Sequence, residues 1–335
     1  VVVPQTSFLG DVVLTTPLLT AVRERVHPRR LTVIVRPEAV PLVEGHPAVD
    51  DVLVDDKRGA ERGLGGLLRM ARRIRAEGFD LAVVPHRSLR TALVMAAAGI
   101  PRRIGFRESR GSLLYHERVT RDRRLHDVER NLALVRPLGG GDDVPRLHVP
   151  VHAAAAARAA TLLSAGDAPL VAIAPGSVWA TKRWRAEGFA AVARALDAEA
   201  RVVLLGAPGD RVLCEAIAAQ AGGNVRSLAG EIDLATTVAV IDRAAVLVGN
   251  DSAPMHIACA RDVPVVAVFC ATTPALGYGP YGRRARVVSV DLECRPCGRH
   301  GGAQCPRGTE DCMRLVDPPA VLAAVRDVWR TETTT

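Results

Sequence analysis

A chain of 335 residues with 48% apolar side chains can bury two sizeable cores; it holds no run of about 18 uncharged apolar residues and no legible signal peptide, so the cytoplasm is the expected compartment. Its formal charge of +8 is uneven: residues 1–150 carry 25 Lys and Arg against 18 Asp and Glu and the remainder 19 against 18, so the first half is expected to face something acidic. Three Tyr, three Trp and five Phe leave little for base stacking, which argues against nucleic acid, and seven cysteines with four confined to 294–312 do not resemble a secreted disulfide framework.

From the start, an apolar strand at 1–3 passes through a loop at 4–10 into a helix from about 11 to 26, with Val12, Leu14, Leu18, Leu19 and Val22 at helical spacing. Gly10-Asp11 then lies at the carboxyl end of the first strand, where open α/β sheets place their ligands. Further apolar strands are expected at 31–35, 52–54 and 81–84, with a helix at 64–77 between the last two. This alternation predicts a parallel, doubly wound sheet. The segment 101–126 is Arg-rich and reads as an irregular loop, either solvated or facing an anion; Arg107 and Arg110 there, with Arg87 before it, are candidate anion contacts. Gly139-Gly140-Gly141-Asp142-Asp143, followed by Pro145 and Pro150, has linker composition.

An Ala-rich helix at about 152–165 opens the second half. A new strand–helix series follows, with strands at 170–174, 202–205, 245–248 and 263–269. Three strand-end loops there offer chemistry. The first contains Ser177 and Lys182, a point charge suited to phosphate. The second contains Asp210, either a ribose acceptor or the N-cap of the next helix. The third contains Gly230 and Ile232, a turn into a helix whose backbone could meet a base edge. The fourth and strongest feature is Gly249-Asn250-Asp251-Ser252-Ala253-Pro254-Met255-His256: a strand passing at once into a helix leaves free N–H groups for an anion, with His256 one turn in. The alternative is a plain corner capped by Asp251 or Ser252. No G-x-G-x-x-G or Walker A sequence occurs, so hydride transfer and P-loop hydrolysis lose support. Cys294, Cys297, Cys305 and Cys312 admit a structural zinc, reduced thiols or disulfides, none of them catalytic.

Gly10-Asp11-Val12, Pro175-Gly176 with Lys182-Arg183-Trp184, the 249–256 motif and Gly277-Tyr278-Gly279-Pro280, in this order, resemble glycosyltransferase family 9, the ADP-heptose:lipopolysaccharide heptosyltransferases, and within it the heptosyltransferase II branch. The resemblance implies a GT-B fold: two Rossmann-like doubly wound domains facing across a cleft, with 1–150 binding the acceptor, 151–167 a linker helix, 168–317 binding the ADP-sugar, and a helix at 318–330 returning to the first domain. It implies inverting transfer of L-glycero-D-manno-heptose from ADP-heptose to a Kdo/heptose-lipid A acceptor, without a required cofactor or catalytic metal, at the anionic inner face of the inner membrane. Asp11 matches the family's catalytic carboxylate. Lys182, the N–H groups of Ser252 and Ala253, and His256 match positions facing the departing diphosphate; Ser177, Asp210, Ile232 and Asp251 complete the implied nucleotide-sugar set. Cys270 stands where the family usually has glycine. A family 9 enzyme with another sugar or acceptor, heptosyltransferase I included, and a non-catalytic nucleotide-sugar binding module are the alternatives; Asp11 separates the last, since a binding module has no use for a base.

Overall fold

A computed structural model describes residues 1–139, 143–163 and 168–330; residues 140–142 of the expected linker, and 164–167 at the end of the expected linker helix, lie outside the described residues. The chain divides into two compact units, Val1–Pro150 and Val151–Thr335.

The first unit runs β1 (Val2–Pro4), α1 (Leu9–Val26), β2 (Thr32–Val35), β3 (Asp51–Val54), α2 (Gly63–Ala76), β4 (Leu81–Val84), α3 (Leu89–Ala97), β5 (Arg102–Phe106), β6 (Glu117–Val119) and α4 (Asp127–Leu132). Its strands pair in parallel in the order β3-β2-β1-β4-β5-β6. The inner strands β2 and β4 are buried along their length, as strands covered on both faces must be. Helix α1 packs with α4 and α2 packs with α3. That grouping follows from right-handed crossovers: β1-α1-β2 progresses one way across the sheet and β3-α2-β4-α3-β5 the other, which puts the two sets on opposite faces. Residues 12–19 of α1 are all buried, so that helix lies inside the fold and lacks a polar face over this span.

The second unit runs α5 (Ala153–Leu162), β7 (Leu170–Ala174), α6 (Ala186–Leu196), β8 (Arg201–Leu204), α7 (Arg211–Ala221), β9 (Arg226–Ser227), α8 (Leu234–Asp242), β10 (Val246–Asn250), α9 (Ala253–Ala260), β11 (Val265–Val268), β12 (Ala285–Val288), α10 (Asp311–Arg314) and α11 (Pro318–Arg330). Its parallel sheet has the order β12-β11-β10-β7-β8-β9, which repeats the first unit's order when its strands are counted from β7. Two doubly wound, Rossmann-like units of α/β class are therefore present.

One expectation needs correction. The segment 101–126 is not an irregular loop but contains β5 and β6. Arg102 pairs across them with Glu117 at 2.6 Å, and Arg103 donates to the carbonyls of Leu114 (2.8 Å) and Ile100; these arginines satisfy the edge of the sheet and are spent internally. Helix α11 packs on α6 and on β10, β11 and β12. Val321, Val325 and Val328 join the second unit's core, and 2.7 Å ion pairs Arg286–Asp327 and Arg326–Glu199 fix its outer side.

Candidate active site

Each sheet has one point where neighbouring strands lead off in opposite directions, between β1 and β4 in the first and between β7 and β10 in the second. A crevice opens outside the carboxyl ends of such strands. Asp11 follows β1 and Arg87 follows β4; Ser177 and Lys182 follow β7; Asp251 and Ser252 follow β10. The separate sequence motifs thus fall on the four strands that border the two crevices.

In the first unit, Asp11 is the third residue of α1's first turn, half-buried. Its Oδ2 accepts from Ser7 Oγ and, at 3.3 Å, from the Phe8 N–H, while its carbonyl accepts from Thr15 Oγ1 at 2.7 Å. Behind it lies buried Asp127 of α4, ion-paired with Arg121 and, at 3.5 Å, with Arg130, and reached by Asn131 Nδ2 at 3.4 Å. Burial, and then the like charge of Asp127, raise the Asp11 carboxyl to about 6, against the opposing effects of the Ser7 and Phe8 hydrogen bonds and of Arg121. A carboxylate poised there is a competent base near neutrality. A base works ionised, so turnover should fall tenfold per pH unit below about 6 and level off above it. Asp127→Asn removes a cause of the elevation, so the acid limb of a kcat/KM profile should move to lower pH; an unmoved limb would detach Asp127 from the base.

Cations collect at the same sheet edge. Lys57 Nζ donates to the Thr6 carbonyl at 2.5 Å, and Thr6 Oγ1 lies 3.1 Å from His86 Nδ1. Burial, then Lys57, Arg87 and Arg36, depress His86 to about 3, keeping the ring neutral. Burial, then Arg36, Arg90 and Arg58, lower Lys57. Arg36 is 6% exposed, pairs with Glu38 at 2.9 Å, and its Nε has no hydrogen-bond partner among the described residues. Mutual repulsion of this kind is relieved by a bound carboxylate or phosphate. Arg87 belongs to the group and its carbonyl accepts from the Arg110 N–H at 3.4 Å, while Arg107 and Arg110 have exposed side chains. Sequence reasoning missed Arg36 and Lys57; the available signal was their place just after β2 and β3.

In the second unit, a Cβ at Gly249 would lie 3.0 Å from the Ala174 carbonyl oxygen, so glycine lets β10 and β7 end close together. Asn250, fully buried, then ties the loops: its Oδ1 accepts from the Trp184 N–H at 2.9 Å and its Nδ2 donates to the Pro175 carbonyl at 2.7 Å. Buried Asp251 accepts from Lys182 Nζ at 2.7 Å and from Thr272 Oγ1 at 2.6 Å. Its carboxylate is turned to the lysine and positions it. Ser252 is the N-cap of α9 but makes no side-chain capping bond, so the capped-corner alternative is not formed; Ala253 begins the helix and His256 is buried within it. Loop 269–272 is ordered around Cys270, fully buried, with the Ala271 N–H on the Thr181 carbonyl at 3.2 Å. No sequence signal pointed to Thr272.

The remaining positions are less engaged. Ser177 is half-buried, with its carbonyl held by Arg183 Nε at 2.7 Å. Asp210 caps its own turn through the Ala207 N–H at 3.0 Å and packs under Gly176, where an added Cβ would meet its carboxyl at 2.6 Å. Ile232 is half-buried before Asp233, the capping residue of α8. All four clustered cysteines are free thiols, and among the described residues no group of three or more His, Cys, Asp or Glu is placed to hold a metal ion. Cys312 is buried in the core, and N–H groups of its own turn lower the Cys305 thiol. The cysteine loop instead braces the lysine turn: the Gly302 N–H donates to Thr181 Oγ1 at 2.8 Å, and Arg295 donates to the Thr272 carbonyl at 2.7 Å.

Comparisons with known proteins agree with this geometry. The family described as glycosyltransferase family 9 (heptosyltransferase) matches residues 67–304. Lipopolysaccharide heptosyltransferase 2 of Salmonella typhimurium is 29% identical over 85% of this chain and 86% of its own. The structure of E. coli ADP-heptose lps heptosyltransferase II superposes with a TM-score of 0.83 at 24% identity, covering 99% of both chains. A glycosyl transferase family 9 structure from Veillonella parvula does so with 0.88 at 25%, covering 98% of this chain and 97% of that one. With its two doubly wound units matched across their length and the family model matched over residues 67–304, the chain belongs to glycosyltransferase family 9 and is a glycosyltransferase.

Proposed function

We propose that the protein transfers L-glycero-D-manno-heptose from ADP-heptose to the inner core of lipopolysaccharide, in the manner of heptosyltransferase II. The observation that carries this is Asp11: a base held near neutrality at one crevice is of no use to a binding module and is what a single displacement requires. Asp11 takes the proton of the acceptor hydroxyl as its oxygen bonds to the anomeric carbon; the bond from that carbon to the β-phosphate oxygen breaks, ADP departs, and the configuration inverts. Negative charge grows on the β-phosphate, and Lys182, the N–H groups of Ser252 and Ala253, and His256 are assigned to it. Ser177, Asp210 and Ile232 are assigned to the donor's phosphate, ribose and adenine.

The cation group around Arg36, Lys57 and Arg87, with Arg107 and Arg110, is assigned to the carboxylates and phosphates of a Kdo- and lipid A-bearing acceptor. No described helix is long and apolar enough to cross a membrane, and we place the protein peripherally at the inner face of the inner membrane. Incubation with ADP-heptose and defined truncated cores, read by mass spectrometry, should add one heptose. Addition from another nucleotide sugar alone would move the enzyme to a different donor within family 9.

A further inference from the structure

Six leucines are exposed among the described residues, and five lie in one part of the first unit: Leu64 and Leu68 on α2, Leu89 and Leu93 on α3, and Leu113 in the turn Ser112–Leu114. Exposure is substantial, 79% for Leu64 and 86% for Leu113. These segments are neighbours. Helices α2 and α3 pack side by side, and the turn abuts α3, where a Cβ on Gly111 would lie 2.4 Å from Ala92 and 3.3 Å from Leu89. Each helical pair is spaced i, i+4, so both members share one side, while Met70 and Ile74 on α2, and Val94 and Met95 on α3, fill the core.

The surroundings are basic. Helix α2 contains Arg69, Arg72, Arg73 and Arg75, all exposed, and no acidic residue; Arg69, Arg73 and Arg75 also donate to the carbonyls of Ala60, Val54 and Ala97, and Arg72 continues the row begun by Leu64 and Leu68. A single exposed leucine needs no explanation, but five set together beside exposed arginines with no acidic residue on their helix have the composition of a surface lying in a lipid interface. Guanidinium groups suit the phosphates of a headgroup layer, and leucines suit the acyl boundary beneath it.

We propose that the outer face of α2, α3 and the turn Ser112–Leu114 docks on an anionic lipid bilayer, with the five leucines entering the acyl boundary and the α2 arginines at phosphate level. This rests on the reading above that the acceptor is anchored in a bilayer, and extends it: charge alone gives attraction that salt abolishes, whereas inserted leucines give binding that salt only weakens. The helix N-termini of this layer adjoin the sheet edge that carries Asp11 and the cation group, so docking presents the base to an acceptor rising from the headgroups.

The full chain should co-sediment with vesicles of phosphatidylethanolamine and phosphatidylglycerol far better than with phosphatidylcholine alone, and keep a measurable part of that binding in high salt. Leu64→Ser with Leu113→Ser should remove the salt-resistant part, on the order of tenfold per leucine, and slow transfer to acceptor embedded in those vesicles while leaving transfer to a deacylated, soluble acceptor unchanged. Parent binding abolished by salt, or a double variant that binds as the parent does, overturns the proposal. So does a parent that light scattering shows to be a dimer and that the substitutions turn into a monomer without vesicle binding, since a second copy then covers the face. Absence of transfer to the soluble acceptor by the parent would instead count against the proposed heptose transfer, with vesicle binding still deciding the surface.

Discussion

Asp11→Asn is expected to lower kcat by a factor on the order of 10²–10⁴, the usual worth of one positioned base, with ADP-heptose affinity held within a few-fold. The amide keeps the carboxylate's shape and can still accept from Ser7 Oγ and the Phe8 N–H, so the helix turn that places residue 11 should persist. Stability gives an independent check. The Asp11 carboxyl is raised from 3.8 to about 6, so the folded protein favours the protonated form. The associated stability is fully present below about 3.8, is lost as pH rises through about 6, and its absence at pH 8 costs about 3 kcal/mol. The Asn variant carries no such cost and should melt at a higher temperature than the parent at pH 8 while being nearly inactive. A variant that is inactive and also less stable would point to a damaged first turn rather than a missing base, and near-normal turnover would remove Asp11 from the mechanism.

Much of this arrangement was legible in the chain, for definite reasons. β7 is a continuous apolar run bounded by Pro169 and Pro175, and β10 runs without a break into Gly249-Asn250; fully buried parallel strands leave that mark. β5 hid because two of its five residues are arginines and one is glycine, and only the structure shows the arginine side chains turned to carbonyls and to Glu117. Motif positions were readable, but partners distant in the chain were not. Nothing near Asp11 announces Asp127, which reaches it through the packing of α4 on α1. The 249–256 motif likewise did not announce Thr272, contributed by the loop after β11, which helps to hold the Asp251 carboxylate on Lys182. The end of the chain shows the same limit: α11 has an apolar stripe, and a stripe does not name the surface that covers it.

That pairing makes Lys182 the sharper test of how the second unit's site works. Its side chain is 14% exposed and its ammonium sits 2.7 Å from Asp251. Beside a diphosphate it should help hold the donor, but its attraction grows as the glycosidic bond breaks and charge gathers on the β-phosphate. Lys182→Ala should therefore lower kcat by roughly 10²–10³, the worth of about 3–4 kcal/mol for an electrostatic donor of this kind, and raise the donor KM as well. The substitution also leaves Asp251, 4% exposed, as a buried charge without its cation, a loss on the order of 3–5 kcal/mol in stability. Adding Asp251→Asn relieves that charge, so the double variant should recover most of the melting temperature and none of the kcat. Lys182→Arg should keep the ion pair and the fold yet rescue poorly, because a planar fork needs room that a compact ammonium does not. If the double variant turns over normally, Lys182 serves only to neutralise Asp251; if the single variant raises KM and spares kcat, the lysine contributes uniform binding and no stabilisation of the departing phosphate.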